Sequence, residues 1–157
     1  MGIETARRRT LGVLAVLVVV GVVSGCVGAE DVMSPEESRD VLVETIAETA
    51  ALIEGPGWVE DGEPSPQPCA VGGARGTKYA HGMWAPPQPD RDWLADVEKV
   101  AEYWESLGMD VRIVRSGPAV FGSGGPVQNI SFSTDPGNYS ISGTALCGPG
   151  GVFKDRT

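Results

Sequence analysis

Two stretches of the chain repeat apolar residues at the three- and four-residue spacing of an amphipathic helix. The first opens at Ser34 to Glu37, where serine, proline and glutamate form a capping-box sequence, and Gly55-Pro56 ends it. The second, Asp90 to Leu107, begins with acidic caps and is followed by Gly108. Each apolar stripe must be covered, so we predict two helices packed on a sheet, or, for the first one, a helix that binds a partner.

Alternating apolar and polar residues predict the strands. A turn of type II composition, Asp135-Pro136-Gly137-Asn138, separates the last two strands as a hairpin. The alternation is typical of a sheet that is wet on one face and covered by helices on the other. The four predicted strands are Thr77 to Trp84, Met109 to Arg115, Val127 to Thr134 and Tyr139 to Leu146.

The remaining stretches show no regular period. Residues 57–68 carry three prolines after a short extended piece and predict a stiff loop, and residues 72–76 predict a flexible bend. Residues 116–126 predict a glycine-rich loop. The predicted fold is therefore α+β, a two-layer sandwich in the order α-β-α-β-β-β. Its two helices cover one face of a mainly antiparallel sheet of about four strands, whose order the sequence leaves open.

The N-terminus has the parts of an export signal: three arginines at 7–9, an apolar run from Leu11 to Val23, and small residues. The run is shorter than the roughly 20 residues that span a membrane. Val23-Ser24-Gly25-Cys26 resembles the lipobox of bacterial lipoproteins, with valine where leucine is commonest. The resemblance implies cleavage before Cys26 and a diacylglycerol on its thiol. An ordinary signal peptide or a poor membrane span is the alternative, and twin-arginine export is less favoured than the general route.

This signal divides the chain into four parts. Residues 1–25 are predicted to be removed, 26–33 to form a lipidated tether, 34–147 to fold as a single domain, and 148–157 to be a flexible tail. The predicted location is the outer face of the cytoplasmic membrane, with the lipid bilayer as a partner through acylated Cys26.

The net charge of the chain restricts the classes of partner that it can bind. The 157 residues carry a formal charge of −9, which becomes −11 for the mature chain because residues 1–25 carry +2 (three arginines and one glutamate). Such a surface repels nucleic acid, so none is expected as a partner.

The lipobox resemblance determines which cysteines remain available to form a disulfide. If Cys26 is lipidated, Cys69 and Cys147 remain outside the reducing cytosol, and a disulfide between them is the favoured interpretation. A metal pair or a catalytic thiol is the alternative, but a metal site needs further ligands at short spacing, and His81 is the one histidine. We therefore expect no metal site.

Several of these features together are similar to small actinobacterial lipoproteins of the LppA-like kind. They are the lipobox, Trp58, Cys69, the return Leu107-Gly108-Met109-Asp110-Val111, and the hairpin Asp135 to Ser142 followed by Cys147. The resemblance implies an envelope location and a disulfide-tied α+β fold. It brings no catalytic residues, because function is unassigned in that family.

The sequence contains no recognisable catalytic or phosphate-binding motif. Gly122-Ser123-Gly124-Gly125 lacks the lysine of a phosphate loop, no nucleophile elbow occurs, and the acidic clusters do not follow calcium-loop spacing. We predict no catalytic residue and no cofactor.

The predicted function is therefore a non-enzymatic envelope module that binds an unknown protein or small molecule. It would bind through Trp58 and Trp84 at loop edges or through the wet face of the sheet. A small hydrolase using acidic residues is the alternative, and a structural accessory recognised through its acidic face is a third hypothesis. A concave wet face would favour ligand binding or catalysis, whereas a flat one would count against both.

Overall fold

A computed structural model describes residues 32–134 and 138–152. The fold is α+β, with two helices packed on one open antiparallel sheet, as predicted. Within these residues the sheet has eight strands, however, so the expectation of about four is wrong. In chain order the elements are α1 (Pro35–Leu52), β1 (Val59–Glu60), β2 (Ser65–Val71), β3 (Ala74–Pro87), α2 (Trp93–Ser106), β4 (Asp110–Val114), β5 (Ala119–Gly124), β6 (Val127–Ser133), β7 (Asn138–Thr144) and β8 (Gly148–Pro149).

The long strand β3 organises the sheet. The main order is β1-β3-β7-β6-β5-β4, and every pairing is antiparallel. On one edge of β3, β1 pairs with its residues 83–84 and β2 with its residues 74–80. On its other edge, β7 pairs with residues 80–87 and β8 with residues 76–77. Three of the strands beyond the predicted four, namely β1, β2 and β8, therefore pair with β3.

The segment predicted as a proline-stiffened loop contains the strand β2. It pairs continuously with β3 from Ser65 opposite Ala80 to Val71 opposite Ala74, and Gly72-Gly73 forms the turn between them. Pro66 and Pro68 occupy alternate positions of this strand. Proline has no N–H to give to a ladder, and edge strands tolerate it where the N–H would face away from the neighbour. Alternate prolines are therefore compatible with an edge strand.

The segment predicted as a glycine-rich loop contains the strand β5, between β4 and β6. Its Val120 is fully buried against the core. Gly122 lies under the helices, and a Cβ there would come within 3.0 Å of both Met109 Sδ and Trp104 Cε3. The glycine is needed for close packing at this position, so it does not mark a loop.

The helix α1 begins at the predicted cap, Ser34, whereas α2 begins at Trp93, three residues inside the predicted range from Asp90 to Leu107. In α1, Ser34 Oγ accepts a hydrogen bond from the Glu37 amide at 3.2 Å, and a Glu37 carboxylate oxygen accepts one from the Ser34 amide at 2.8 Å. This is the reciprocal capping box. In α2, Asp92 is the N-cap and accepts from the Ala95 amide at 3.0 Å.

The core lies between the helices and the sheet. Trp104 Nε1 donates to Thr49 Oγ1 at 3.0 Å and joins α2 to α1 within the core. A Cβ at Gly143 would lie 2.8 Å from Leu42 Cδ1, so this glycine allows α1 to approach β7 closely. The largest fully buried side chains include Trp104, Tyr139, Phe132, Leu42, Ile46, Ile53 and Ile141.

The predicted disulfide between Cys69 and Cys147 is present, with the two Cα atoms 6.1 Å apart. It crosses Gly76, where a Cβ would meet Cys147 Sγ at 2.8 Å. Gly148, which follows the disulfide, is buried against Pro35 at the start of α1. The first residues of the stretch predicted as a tail are thus paired with β3.

Among the described residues, no helix has the length and apolar character needed to cross a membrane. The predicted signal, Cys26, most of the tether, residues 135–137 of the predicted turn and residues 153–157 lie outside the described ranges.

Candidate functional site

The sheet face opposite the helices is concave. It holds an open hollow of about 870 Å³, which we call the groove. Its floor crosses the strands β3, β7, β6, β5 and β4, and the connection between β1 and β2 stands at one end. The volume falls within the range of small-molecule sites, about 300–1,000 Å³.

Strand register explains the composition of the floor. Side chains alternate between faces, so the neighbours of buried Ile141, Phe132 and Val120 point into the groove. The residues that point into the groove form two rows, each running across the strands through residues that are paired in register. The two rows lie two residues apart along each strand. The first row is Gly82, Ser142, Ser131, Phe121 and Arg112, and the second is Ala80, Thr144, Asn129, Ser123 and Asp110.

Local irregularities accompany the concave shape. The ladder between β3 and β7 shifts register between Ala85 and Pro87, and that between β5 and β6 shifts between Ser123 and Gly124. Such bulges bend strands and increase their twist. At Gly82 a Cβ would meet the Ile141 carbonyl oxygen at 2.9 Å, so β3 and β7 approach closely on the concave side. The groove is therefore a property of the backbone.

The centre of the floor is made of small polar side chains. Ser131 Oγ and Ser142 Oγ lie 3.1 Å apart, and Ser131 Oγ also donates to the Ser142 carbonyl oxygen at 3.4 Å. Thr144 and Asn129 lie beside this pair. Hydroxyl and amide groups can both donate and accept hydrogen bonds, so the floor can bind groups of either kind.

An aromatic ring and a cation lie together at the β5 and β4 side of the groove. Phe121 is 40% exposed, and the Arg112 guanidinium carbon lies 4.5 Å from the centre of its ring. This cation–π contact holds the cation beside the ring. The pair combines an apolar surface with several hydrogen-bond donors at one position.

Carboxylates border both ends of the groove. Asp61 and Glu63 lie in the connection between β1 and β2, which is tied to β3 by a hydrogen bond from the Asp61 amide to the Gly82 carbonyl oxygen at 3.0 Å. Asp110 lies at the β4 end. The border is therefore acidic on balance, with Arg112 as the opposing charge.

The two tryptophans proposed as a ligand platform lie on opposite sides of the sheet. Trp58 is half-buried against the core, its Nε1 donates to the Ile53 carbonyl oxygen at 3.4 Å, and its ring centre lies 6.2 Å from that of Tyr139. Trp84 is 47% exposed on the open face, opposite Ser140. The structure does not bring the two together, and Trp84 lies beside the groove without lining it.

His81 lies half-buried on β3, between the groove and a smaller hollow of about 430 Å³ that Arg39, Glu60 and Tyr79 also line. Its Nδ1 is buried and has no hydrogen-bond partner among the described residues. Within residues 32–134 and 138–152, no three histidine, cysteine or acidic side chains come together in a way that would hold a metal ion.

A buried charged cluster lies on the covered side of the sheet. Asp96 accepts two hydrogen bonds from Arg91, at 2.7 and 2.8 Å, and a short one from Tyr139 Oη. Burial alone would raise the pKa of Asp96, but the hydrogen bonds from Arg91 and Tyr139 and the charge of Arg91 outweigh it and lower that pKa. Burial and the hydrogen bond to Asp96 raise the pKa of Tyr139. The cluster fixes α2 to β7 and does not line the groove.

Comparison with solved structures finds a distant structural likeness. No protein-family model matches the chain, and no curated protein matches it. A crystal structure of a DUF4853 family protein from Actinomyces odontolyticus ATCC 17982 is 21% identical, with a TM-score of 0.44. The match covers 77% of this chain and 67% of that one.

Sequence reasoning located the wet face but missed its main residues. Ser131 and Ser142 belong to strands that alternation predicted, whereas Phe121 lies on the strand that was predicted as a loop. The short apolar run Ala119-Val120-Phe121, with a β-branched and an aromatic residue, was the available signal, and the glycines that follow it obscured the strand. Asp61 and Glu63 lie in residues 57–68, which the sequence predicts as a stiff loop, but nothing in the sequence places that loop at the opposite end of one groove from Asp110.

Proposed function

We propose that this protein is a lipid-anchored, extracytoplasmic binding module that holds a ligand in the groove. The observation that carries the proposal is the concave, polar surface of about 870 Å³ on the sheet face that the helices leave uncovered. A flat face would have offered no such site.

Two sequence features support the anchored location. Val23 to Cys26 resembles a lipobox behind a short apolar run, and the wider pattern is similar to LppA-like lipoproteins. A disulfide joins the other two cysteines, which suits an oxidising compartment. The acyl chains would then hold the domain at the membrane, with the groove available to a ligand outside the cell membrane.

The pKa and the position of the buried carboxylate, Asp96, favour a binding function over acid catalysis. A hydrolase that uses acidic residues needs a carboxyl group whose pKa is raised near its substrate. Asp96 is the buried carboxylate of the described residues, its pKa is lowered, and it lies on the covered side of the sheet. This arrangement supports a structural role for Asp96, so the hydrolase remains the second hypothesis.

A blocked groove tests the binding proposal. Residues 26–157 carrying Cys26→Ser contain every described element, and a cocktail screen of low-molecular-weight fragments can be followed by amide chemical shifts. We expect the fragments that bind to shift amides of β5, β6 and β7 around the groove. Ser142→Trp should remove these shifts, because its side chain points into the groove from an exposed site.

Ala47→Trp is the matched control, since it adds the same side chain at an exposed position of α1. It should leave the shifts unchanged. Fragment shifts scattered over the surface, or equal in the Ser142→Trp and Ala47→Trp variants, would contradict a binding site in the groove.

Fatty-acid labelling tests the anchor. In a bacterial host that processes lipoproteins, an alkyne-bearing palmitate should label the full chain, and Cys26→Ser should abolish labelling because it removes the thiol that forms the thioether. Ser24→Ala keeps a small residue in the lipobox and should be labelled like the wild type. Equal labelling of the Cys26→Ser variant would rule out this attachment site.

A further inference from the structure

We infer that the groove binds a neutral oligosaccharide that lies across the strands. The inference rests on the proposed binding function and names its ligand class. The first support is the floor, where Ser131, Ser142, Thr144 and Asn129 present hydroxyl and amide groups with few charges among them. Sugar hydroxyls both donate and accept hydrogen bonds, and so does each of these side chains.

The second support is the exposed ring of Phe121. The C–H groups on one face of a pyranose ring form an apolar surface, and an aromatic side chain offers a rigid surface of matching size at a low cost in conformational entropy. Arg112, held 4.5 Å from the ring centre, places donors next to that surface. A sugar over Phe121 would therefore find an apolar contact and hydrogen-bond donors together.

The third support is the length of the floor. It runs from β3 through β7, β6 and β5 to β4, which is four steps between neighbouring strands. At about 4.8 Å a step, the floor is roughly 19 Å long, which suits a chain of several sugar rings better than a single ring.

The position of the groove disfavours a peptide. Extended peptides bind sheets mainly through free backbone groups at an edge strand. Four of the five strands under the groove, β3, β7, β6 and β5, have a neighbour on both sides, so their backbone groups are already paired, and only β4 is an edge strand. A peptide lying across these four strands would find only side chains.

The charges at the border disfavour an acidic ligand. Asp61, Glu63 and Asp110 line the groove with one arginine, Arg112, while Lys78 beside it donates to Gln128 at 3.1 Å, and the whole chain carries −9. An acidic sugar would be repelled, whereas carboxylates at the ends of the groove accept hydrogen bonds from the hydroxyls of a neutral one.

Isothermal titration and amide chemical shifts with defined probes test the ligand class. The protein is residues 26–157 with Cys26→Ser, and the neutral probes are cellotetraose, chitotetraose and maltotetraose. The comparison probes are an acidic sugar, tetragalacturonate, and a basic peptide, tetralysine. We expect at least one neutral probe to bind and to shift the amides of Ser123, Ser131 and Ser142, and we expect Ser142→Trp to abolish that binding.

Substitutions at Phe121 test the proposed ligand class more sharply. Phe121→Ala should weaken binding of the neutral probe by about three- to tenfold, as the loss of an aromatic contact does. Phe121→Trp keeps a ring and should retain the affinity. Trp84→Ala is the matched control, because Trp84 is exposed on the same face but outside the groove, and it should change the affinity less than twofold.

The outcomes separate this inference from the proposed function. If none of the neutral probes binds, or if Phe121→Ala leaves their affinity unchanged, the ligand class is wrong. Groove shifts caused by tetralysine or tetragalacturonate alone would overturn the class while leaving a binding groove in place. If fragments also fail to select the groove in the blocking experiment, the proposed function itself fails.

Discussion

At the scale of single residues, Asp96 is the one buried carboxylate of the described ranges. It receives a two-pronged ion pair from Arg91 and a hydrogen bond from Tyr139, and Arg91 also donates to the Glu54 carbonyl oxygen at 2.9 Å. The end of α1, the start of α2 and β7 therefore meet at one charged group. Buried charges are tolerated only when paired in this way, so removing one member costs more than the pair contributes.

Asp96→Asn should lower the free energy of unfolding by about 2–3 kcal/mol, because it removes the charge and leaves Arg91 without its partner. The estimate is below that for a fully enclosed pair, since the Arg91 side chain is 31% exposed. Urea denaturation at neutral pH measures the change. Glu98→Gln is the control, as it breaks the exposed ion pair with Arg115 and should cost less than about 1 kcal/mol.

The same variant has a predictable pH dependence. The pKa of Asp96 is lowered in the folded protein from its ordinary value of 3.8, so ionised Asp96 contributes stability that is fully present above about pH 4 and is lost as the pH falls through the folded pKa. The stability difference between wild type and Asp96→Asn should stay constant from pH 5 to 7 and shrink in more acidic solution. A difference that grows as the pH falls would contradict this assignment.

At the scale of elements, the close packing of α1 against the sheet depends on Gly143. A Cβ at this position would lie 2.8 Å from Leu42 Cδ1 and 3.1 Å from the Asn129 carbonyl oxygen, and the backbone oxygen cannot move aside easily. A larger residue would therefore force the Leu42 side chain of α1 to move. The close approach brings Leu42 into the core, where it is fully buried.

Gly143→Val should therefore lower the free energy of unfolding by about 1–3 kcal/mol through overpacking. Chemical denaturation followed by tryptophan fluorescence measures this change. Ser140→Ala is the control on the same strand, since Ser140 faces the open side, and it should stay within about 0.5 kcal/mol of wild type. A Gly143→Val variant as stable as the control would show that α1 can shift without loss.

The elements also show what the sequence can and cannot predict. Both helices follow from their caps and apolar period, and β4, β6 and β7 follow from alternation, because these signals are local. The strand β2 was missed because prolines at positions 66 and 68 resemble a loop until an edge position is known. The strand β5 was missed because Gly122 is required by Trp104, a contact that exists only in the folded protein.

At the scale of the whole molecule, the two layers differ in charge and role. The outer surfaces of the helices carry a row of exposed carboxylates: Glu36, Asp40, Glu44, Glu48, Glu98, Glu102 and Glu105. The opposite face carries the groove, whose centre is neutral. The acidic layer favours solubility, and it would also keep the helices away from anionic lipid head groups. The groove crosses five strands that are distant in sequence. It could not be located from the sequence because the order of strands in a sheet does not follow from local patterns.

The disulfide links distant parts of this molecule. Cys69 on the edge strand β2 is joined to Cys147 beside β8, across 78 residues of sequence. Without it, the proline-bearing strand β2 would be joined to the sheet mainly by its ladder with β3. Its contribution to stability arises mainly because the bond restricts the unfolded chain.

Replacing both cysteines, Cys69→Ser with Cys147→Ser, should lower the free energy of unfolding by about 2–5 kcal/mol. Thermal denaturation with and without a reducing agent measures this, because the reducing agent should destabilise the wild type and leave the double variant unchanged. Mass mapping without reduction should find the two cysteine peptides joined. Two free thiols per mature chain would disprove the bond.

The contact between Pro35 and Gly148 brings the two ends of the described fold to one corner. The Pro35 nitrogen would lie 2.4 Å from a Cβ at position 148, so the backbone segments touch. A short linker could close the domain into a ring there, and the ring could be reopened at the exposed Gly72-Gly73 turn as a circular permutant. For the same reason, a reporter fused to the C-terminal end of the fold would emerge beside the point where the chain enters, so display of a cargo away from an attached surface calls for insertion at that turn.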